Sequence, residues 1–496
     1  MTEINMDRGI NPGINPARTI DTDTDTDTDT DVEVGLGSAW TALGGDPALV
    51  PRVSTVGRHG ALPSRLPVRG MARACVGVCA LAAAEWGARR AGLPVVPGVL
   101  VDDGAVATAF HSERLLRVDG REPVTFAPLS RFWRTADGWV RTHANYPRHR
   151  ERLLGALGLT ADASADTVAA VLAERRAAEV EETVYAAGGL AVALRTPGEW
   201  AAHEQGRAVA AHPLVGRERL DDAPVRPLVP LEQAGGGPLL PAAGLRVLDL
   251  TRVIAGPVST RTLGLLGADV LRIDSPDAPE LPDLYADTSF GKRSAVLDLR
   301  APGGRRAFEE LLADADVVVT GYRPGALDRY GLSPEQLADR RPGVVVAQLS
   351  AWGGYGPWGV RRGFDSLVQV ATGIAVTEGS AQDPGALPAQ ALDHGTGYLL
   401  AAAVLRSLTE QSREGGSRVL RLALARTATW LTDGSLRDGT GCAGAAYEGP
   451  DPWLAETDSV LGRLRHALPP ARFTDGPADW TRSPGRWGGD PAGWAR

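Results

Sequence analysis

The chain has 496 residues, a hydrophobic fraction of 43%, a charged fraction of 23% and a formal net charge of −8, the values of a globular protein too long for one ordinary core. The acidic balance gives no electrostatic reason to expect nucleic acid or an anionic membrane as partner, although a local basic pocket remains compatible with it. Three cysteines argue against a disulfide framework and suit a reducing cytoplasm, no apolar run approaches the roughly 20 residues that span a bilayer, and no secretory signal is read at the start.

Residues 1–36 are dominated by an Asp-Thr alternation from Asp21 to Asp31, which has nothing apolar to bury and reads as a disordered tail. Residues 37–215 are Ala-rich, with helices predicted over 69–88, 147–157, 166–187 and 197–210. The last opens on Thr196-Pro197-Gly198-Glu199, a capping box with proline in the first turn. Cys75 and Cys79 share one helix face and read as small core residues; no metal site is predicted. A strand pair is expected around Phe132–Thr142, turning at Ala136-Asp137-Gly138. Residues 216–243, rich in Pro and Gly, read as a linker.

From 244 to 415 short apolar strands alternate with helices. Strands are predicted at Leu245–Leu250, Val270–Asp274, Ser294–Leu299, Val317–Thr320 and Val344–Leu349, with helices near 257–266, 302–314 and 333–340. That alternation predicts an α/β fold: a parallel, helix-flanked, Rossmann-like sheet, beside a smaller α+β domain within 37–215. Val419–Leu431 reads as a further strand and helix. The rest of 416–496, with Trp480, Trp487 and Trp494 in Gly/Pro surroundings, reads as an extended arm anchored by aromatics.

Several residues in the α/β segment suit an anionic ligand, although solvated surface charge accounts for each taken alone. Ala255-Gly256-Pro257 opens a helix after the first strand, Gly291-Lys292-Arg293 precedes another strand, and Tyr322-Arg323-Pro324 follows a strand's carboxyl end. Gly354-Tyr-Gly356-Pro-Trp-Gly359 matches a dinucleotide fingerprint by spacing, but Pro357 and Trp358 sit where a helix must open, so it reads as a mobile glycine loop near a site. Asp393 precedes Gly395-Thr-Gly397 and a helix predicted over Tyr398–Glu410. It is either a helix cap or an exposed carboxylate nucleophile, and its own surroundings do not separate the two.

Together these motifs resemble the family III CoA-transferases, which include formyl-CoA and carnitine CoA-transferases and the α-methylacyl-CoA racemases. The matching features run in order: Val247-Leu-Asp-Leu-Thr-Arg-Val-Ile-Ala-Gly-Pro257, Leu266-Gly-Ala-Asp-Val270 with Arg272, Gly291-Lys-Arg-Ser294 with Leu297-Asp-Leu299, Tyr322-Arg-Pro-Gly-Ala-Leu-Asp-Arg-Tyr-Gly331, the glycine loop, Arg362-Gly-Phe-Asp365 with Gln369, and Asp393-His-Gly-Thr-Gly397. The resemblance implies the family fold, an acyl-CoA donor, a carboxylic acid acceptor, coenzyme A as a substrate rather than a resident cofactor, and an interlocked homodimer. It implies that Asp393 attacks the donor thioester to give a mixed anhydride and then an aspartyl-CoA thioester. By the same implication Val253 and Ile254 lie along CoA; Lys292, Tyr322, Arg329 and Tyr330 line its nucleotide and pantetheine path; and Arg362 is near the phosphates. The resemblance also implies that Gly353, Gly354 and Gly356 shield the anhydride and donate N–H groups to oxyanions.

Two departures bear on this. The racemases carry a His beside the Asp in a Gly-His-Asp motif, but this chain has Gly363-Phe364-Asp365; Phe364 cannot exchange a proton, and His394 beside Asp393 diverges from it on the helix. Ile254 stands where the formyl-CoA enzymes carry a polar Gln, which suggests an acyl group that is less polar or merely different. The order of parts is also unusual. Residues 35–90 resemble a second, decayed copy of the Asp393 region, with Val68 at the Asp position, and the chain reads as a rearranged or partly duplicated member. An acyl-CoA racemase or isomerase and a CoA-binding protein without turnover are the competing readings.

Overall fold

The computed structural model describes residues 30–231, 237–438 and 444–495. Most of the Asp-Thr alternation and part of the Pro/Gly linker lie outside them. Helix Thr30–Ala42 begins inside the stretch read as a tail.

The centre is a seven-stranded sheet of β1 (Gly216–Arg219), β2 (Arg246–Leu250), β3 (Asp269–Asp274), β4 (Lys292–Val296), β5 (Val317–Thr320), β6 (Val345–Ser350) and β7 (Arg418–Ala423). Its order is β4-β3-β2-β5-β6-β7-β1, with only β1 antiparallel. Both faces are covered, as parallel sheets require. Along the strands Leu248, Leu271, Val318 and Val346 point into one apolar core, and Val247, Val270, Val317 and Val345 into the other. The six parallel strands follow the doubly wound order 3-2-1-4-5-6. Its direction reverses between β2 and β5, and the crevice outside those strand ends is where such sheets bind ligands. The predicted α/β fold is what the structure shows.

Two helices of 24 residues each, α1 (Val68–Ala91) and, later in the chain, α3 (Ala391–Glu414), pack side by side, with α2 (Ala255–Leu265) against α3. A Cβ added at Gly395 would sit 3.4 Å from Cys75 Sγ and 3.5 Å from Met71 Cε, so the glycine lets α1 approach closely. At Gly397 an added Cβ would lie 2.5 Å from the Ala255 carbonyl oxygen, so only glycine lets the start of α2 reach α3. Cys75 and Cys79 are buried in this packing, and burial pushes both thiols up.

The two long helices begin in similar ways. Their N-cap residues Pro67 and Gln390 share nearly the same dihedrals, φ −73° and ψ 56° against φ −75° and ψ 62°. Counting from those caps, Gly70 rather than Val68 stands opposite Asp393. The Gly70 N–H donates to Asp438 Oδ1 at 2.8 Å, just as the Asp393 N–H donates to Asp365 Oδ2 at 2.9 Å.

Other differences from the sequence reading have local causes. The expected linker begins with β1, whose residues Gly-Arg-Glu-Arg give no apolar signal because it is an edge strand held partly by Arg421–Glu218 at 2.8 Å. The helix expected over 166–187 is two, Ala165–Ala173 and Ala177–Ala186, and that over 197–210 is two, broken at the extended His203. The smaller unit has its own core, with Trp133, Val140, Leu153, Val168, Val180 and Ala191 between a three-stranded sheet and helices. By contrast α1 shares the core of the large sheet.

The carboxyl-terminal stretch lies on its own chain. Leu454–Ser459 and Gly462–Ala467 form a hairpin. Beyond it, Trp480 Nε1 donates to the Arg261 carbonyl at 2.8 Å and Trp494 Nε1 to the Leu311 carbonyl at 3.1 Å. The Asp490 N–H donates to the Ser294 carbonyl at 2.8 Å, and the Ser294 N–H to Asp490 Oδ2 at 2.9 Å, along the outer edge of β4.

Candidate active site

The end of β2 is set by a buried polar cluster. Asp249 accepts hydrogen bonds from the Thr251 N–H at 2.9 Å, from Thr260 Oγ1 on α2 at 2.6 Å and from Lys292 Nζ at 3.0 Å. Lys292, 2% exposed, also donates to the Pro257 carbonyl at 3.0 Å. It therefore ties β4 to β2 and α2, and it lines none of the clefts described below. A buried charge must be paired, and the motif residues Asp249, Thr251 and Lys292 satisfy one another.

This cluster delivers the chain to Val253, whose φ of 72° is a left-handed conformation that a β-branched residue resists. Its N–H donates to Glu280 Oε2 at 2.9 Å. Glu280 in turn accepts from Tyr146 Oη and Arg272, and Arg272 forks onto Asp274 at 2.8 and 3.0 Å. Burial would raise the Glu280 carboxyl, but the charges of Arg272 and Arg252 hold it below its ordinary value. Nothing local in the sequence marks Glu280 or Tyr146 as neighbours of Val253, since they lie 27 and 107 residues away (280 − 253 and 253 − 146).

Asp393 lies in the first turn of α3, so the helix begins earlier than expected and the residue is inside it rather than capping it. Asp365 does the capping: one oxygen accepts the Asp393 N–H and the other accepts Gln369 Nε2. Gln369 Oε1 accepts the Leu387 N–H at 2.9 Å, fixing the approach to the helix. Asp393 is 6% exposed. Burial, then the charges of Asp365 and Glu113, push its pKa well above the ordinary carboxylate range; burial likewise raises Asp365 to about 6. His394 diverges as expected: its Nε2 pairs with Glu113 Oε2 at 3.0 Å and its ring stacks on Phe110.

Asp393 opens on a narrow cavity of about 60 Å³ that also has Val253 and Ile254 in its wall. Its other sides are largely apolar, with Val124, Phe126, Leu281, Leu284 and Phe364. Against the face of Phe364 lies His143, at 3.7 Å between ring centres and 2° between planes. Neither His143 nor Glu113, both in the cavity wall, has a sequence signal that points to Asp393, because each comes from a distant segment.

The remaining predicted residues lie elsewhere. Tyr322, Gly353 and Gly354 line a cleft of about 580 Å³ at the ends of β5, β6 and β7. Gly356 packs on Gln205 instead, and none of the three glycines lines the Asp393 cavity. The loop is held in place: buried Gln205 donates to the carbonyls of Trp352 and Tyr355 at 2.9 and 3.1 Å and accepts the Trp358 N–H at 2.8 Å. Arg329 stacks over Tyr330 at 4.8 Å, and Tyr330 packs on the core; neither lines these clefts. Arg362 lines a third cleft of about 330 Å³ with Arg361 and Arg323. Burial and the charges of Arg323, Arg152 and Arg148 push the Arg362 guanidinium pKa down. Arg148, Arg152, Arg323 and Arg362 have no carboxylate partner among the described residues, so the crevice outside β2 and β5 is flanked by four unneutralised cations.

Residues 242–450 match the family model described as CoA-transferase family III. Among curated proteins the chain is similar to an acetyl-coenzyme A transferase of Hypoxylon pulicicidum, 35% identical over 205 residues, 40% of this chain and 35% of that one. It is also similar to a probable fatty acyl-CoA transferase of Mycobacterium tuberculosis, Rv3272, 32% identical over 232 residues, 43% of this chain and 58% of that one. A formyl-CoA:oxalate CoA-transferase of Streptomyces coelicolor is 31% identical over 207 residues, 39% of this chain and 50% of the relative. The chain thus spans between about a third and three-fifths of these relatives. A crystal structure of Rv3272 aligns with 40% of this chain and 57% of its own at 32% identity, with a TM-score of 0.38.

Proposed function

We propose that the chain, through the CoA-transferase family III segment of residues 242–450, moves CoA from an acyl-CoA donor to a carboxylic acid. The observation that carries this reading is Asp393: a carboxyl in a helix's first turn, facing a narrow apolar cavity at the crevice of a doubly wound sheet. Ionised, the group attacks the thioester carbon, the C–S bond breaks and CoA leaves as thiolate. The thiolate then attacks the aspartyl carbonyl of the anhydride, the C–O bond to the acyl group breaks and the donor's carboxylate leaves, giving the aspartyl-CoA thioester; the acceptor carboxylate then runs both steps in reverse. The raised pKa fits a nucleophile whose anion is poorly solvated and therefore reactive. The helix N-terminus offsets part of that cost.

The cofactor-sized parts of the substrate have matching surfaces. Arg148, Arg152, Arg323 and Arg362 suit the phosphates of CoA, which guanidinium groups bind in forked pairs. The wall of Ile254, Leu281, Leu284 and Phe126 suits an apolar acyl group. Cytoplasmic placement is supported by the three cysteines, and the homodimer by the resemblance alone. Incubation with acetyl-, succinyl- and octanoyl-CoA, trapping with hydroxylamine and mass spectrometry of the Asp393 peptide test the proposal. An Asp393 hydroxamate is expected. The absence of both this adduct and labelled-CoA exchange across the panel refutes the reading.

A further inference from the structure

Glu113 and His143 both line the cavity with a buried polar atom that has no hydrogen-bond partner among the described residues, and His143 is the one whose ring lies flat on Phe364. It follows strand Trp139–Thr142 of the smaller unit, its backbone N–H donates to the Leu190 carbonyl at 3.2 Å, and its ring stacks on Phe364 with His149 edge-on at 6.2 Å. It is 5% exposed and shares the cavity wall with Asp393. Yet its Nδ1 is buried with no hydrogen-bond partner among the described residues. Burial, followed by the charges of His149 and Arg141, pushes its pKa down to about 3, so the ring is neutral at physiological pH.

Leaving a buried polar ring unpaired is costly, so the arrangement is understandable if the missing partner arrives with the substrate. The glycine loop expected to serve the oxyanion lies at another cleft. Resting on the transferase reading, we infer that His143 is the hydrogen-bond donor to the thioester carbonyl oxygen during attack by Asp393. As the Asp393 oxygen bonds to the carbonyl carbon, the π electrons move onto the carbonyl oxygen, which the imidazole N–H stabilises without giving up its proton. When the carbonyl re-forms, the C–S bond breaks and the electron pair leaves with the CoA sulfur. A neutral imidazole suits this role, because it polarises the oxygen without surrendering a proton to it. Phe364 then has a use that the sequence did not suggest: it is the platform that fixes the ring's plane.

Two substitutions separate this role from mere packing. His143→Phe keeps an aromatic ring on Phe364 and removes the donor; His143→Gln keeps an N–H donor and removes the ring. With acetyl-, succinyl- and octanoyl-CoA as donors, His143→Phe should lower kcat and the single-turnover rate of Asp393 adduct formation about 100–1,000-fold. KM should stay within about threefold, and His143→Gln should recover at least tenfold of the lost rate. Equal activity of wild type and His143→Phe overturns the assignment, as does equal loss in both variants with a matching fall in melting temperature. Solvent deuterium entering the acyl α-carbon only when His143 is present overturns it in favour of proton abstraction. A wild-type chain without any Asp393 adduct refutes the transferase reading itself and this role with it; an adduct-forming wild type matched by His143→Phe refutes the role alone.

Discussion

Replacing Lys292 by Met tests whether this residue holds the sheet together or touches the ligand. Its ammonium sits 3.0 Å from both Asp249 Oδ2 and the Pro257 carbonyl, with Lys292 2% and Asp249 0% exposed. Met fills nearly the same volume, so the change removes the charge and leaves the packing. Asp249 is then left as a buried carboxylate held only by the Thr251 and Thr260 donors. Stranding one charge of a buried pair costs about 3–5 kcal/mol. With a urea slope of about 3 kcal/mol per M, the midpoint should fall by about 1–1.7 M. Adding Asp249→Asn removes the stranded charge and should return about 1–2 kcal/mol of the loss. Circular dichroism across a urea series measures the midpoint, and calorimetry with CoA on the folded protein measures affinity, which should change less than twofold. A midpoint within 0.3 M (roughly 1 kcal/mol at that slope) of wild type, or a large loss of CoA affinity at unchanged stability, refutes the structural assignment.

Asp393→Asn should abolish CoA exchange while leaving CoA affinity within about threefold, and it should raise the melting temperature at pH 8, because it removes a like charge facing Asp365 and Glu113. Exchange rate should climb with pH, with its midpoint above the ordinary carboxylate range, as Asp393 ionises; a midpoint near 4 contradicts the raised pKa. Stability should move the other way. Folded Asp365 and Asp393 keep protons that unfolded carboxyls lose near 3.9, so their penalty is absent below about pH 4 and grows as pH rises through about 6; melting curves from pH 4.5 to 7.5 read this sign. Arg323→Ala and Arg362→Ala should each weaken CoA binding about fivefold and flatten its salt dependence, by calorimetry at two ionic strengths, since each removes one unneutralised cation. Gly397→Ala should lower the melting temperature and the exchange rate together, because its Cβ would meet the Ala255 carbonyl at 2.5 Å.

The large sheet was legible because parallel strands buried on both faces read as continuous apolar runs such as Val317–Thr320. Edge strand Gly216–Arg219 was not, because a charged edge carries no such run. Helix α3 was read as starting at Tyr398 because Gly395 and Gly397 look like helix breakers. They are tolerated because α1 and α2 press against them, and tertiary contact outweighs propensity. Asp393 could be singled out by motif, as could Val253 and Ile254 beside it. Lys292 stands in the same run of motifs, but motif order cannot distinguish a residue that holds the site up from one that touches the ligand. Glu280, Tyr146, Glu113 and His143 reach the site only through chain reversals, so no local pattern announces them.

Strand β4 is the last in its sheet, and an unpaired strand edge offers its free N–H and C=O groups to any other extended chain. The exchange between Asp490 and Ser294 closes part of that edge, and Arg293 anchors the following residues through the Gly493 carbonyl. A chain ending near residue 483 would keep every group around Asp393 and still present an open template for sheet growth. Its expected failing is therefore loss of solubility during storage or refolding rather than loss of chemistry, and light scattering over time would register it where an activity assay on fresh protein would not.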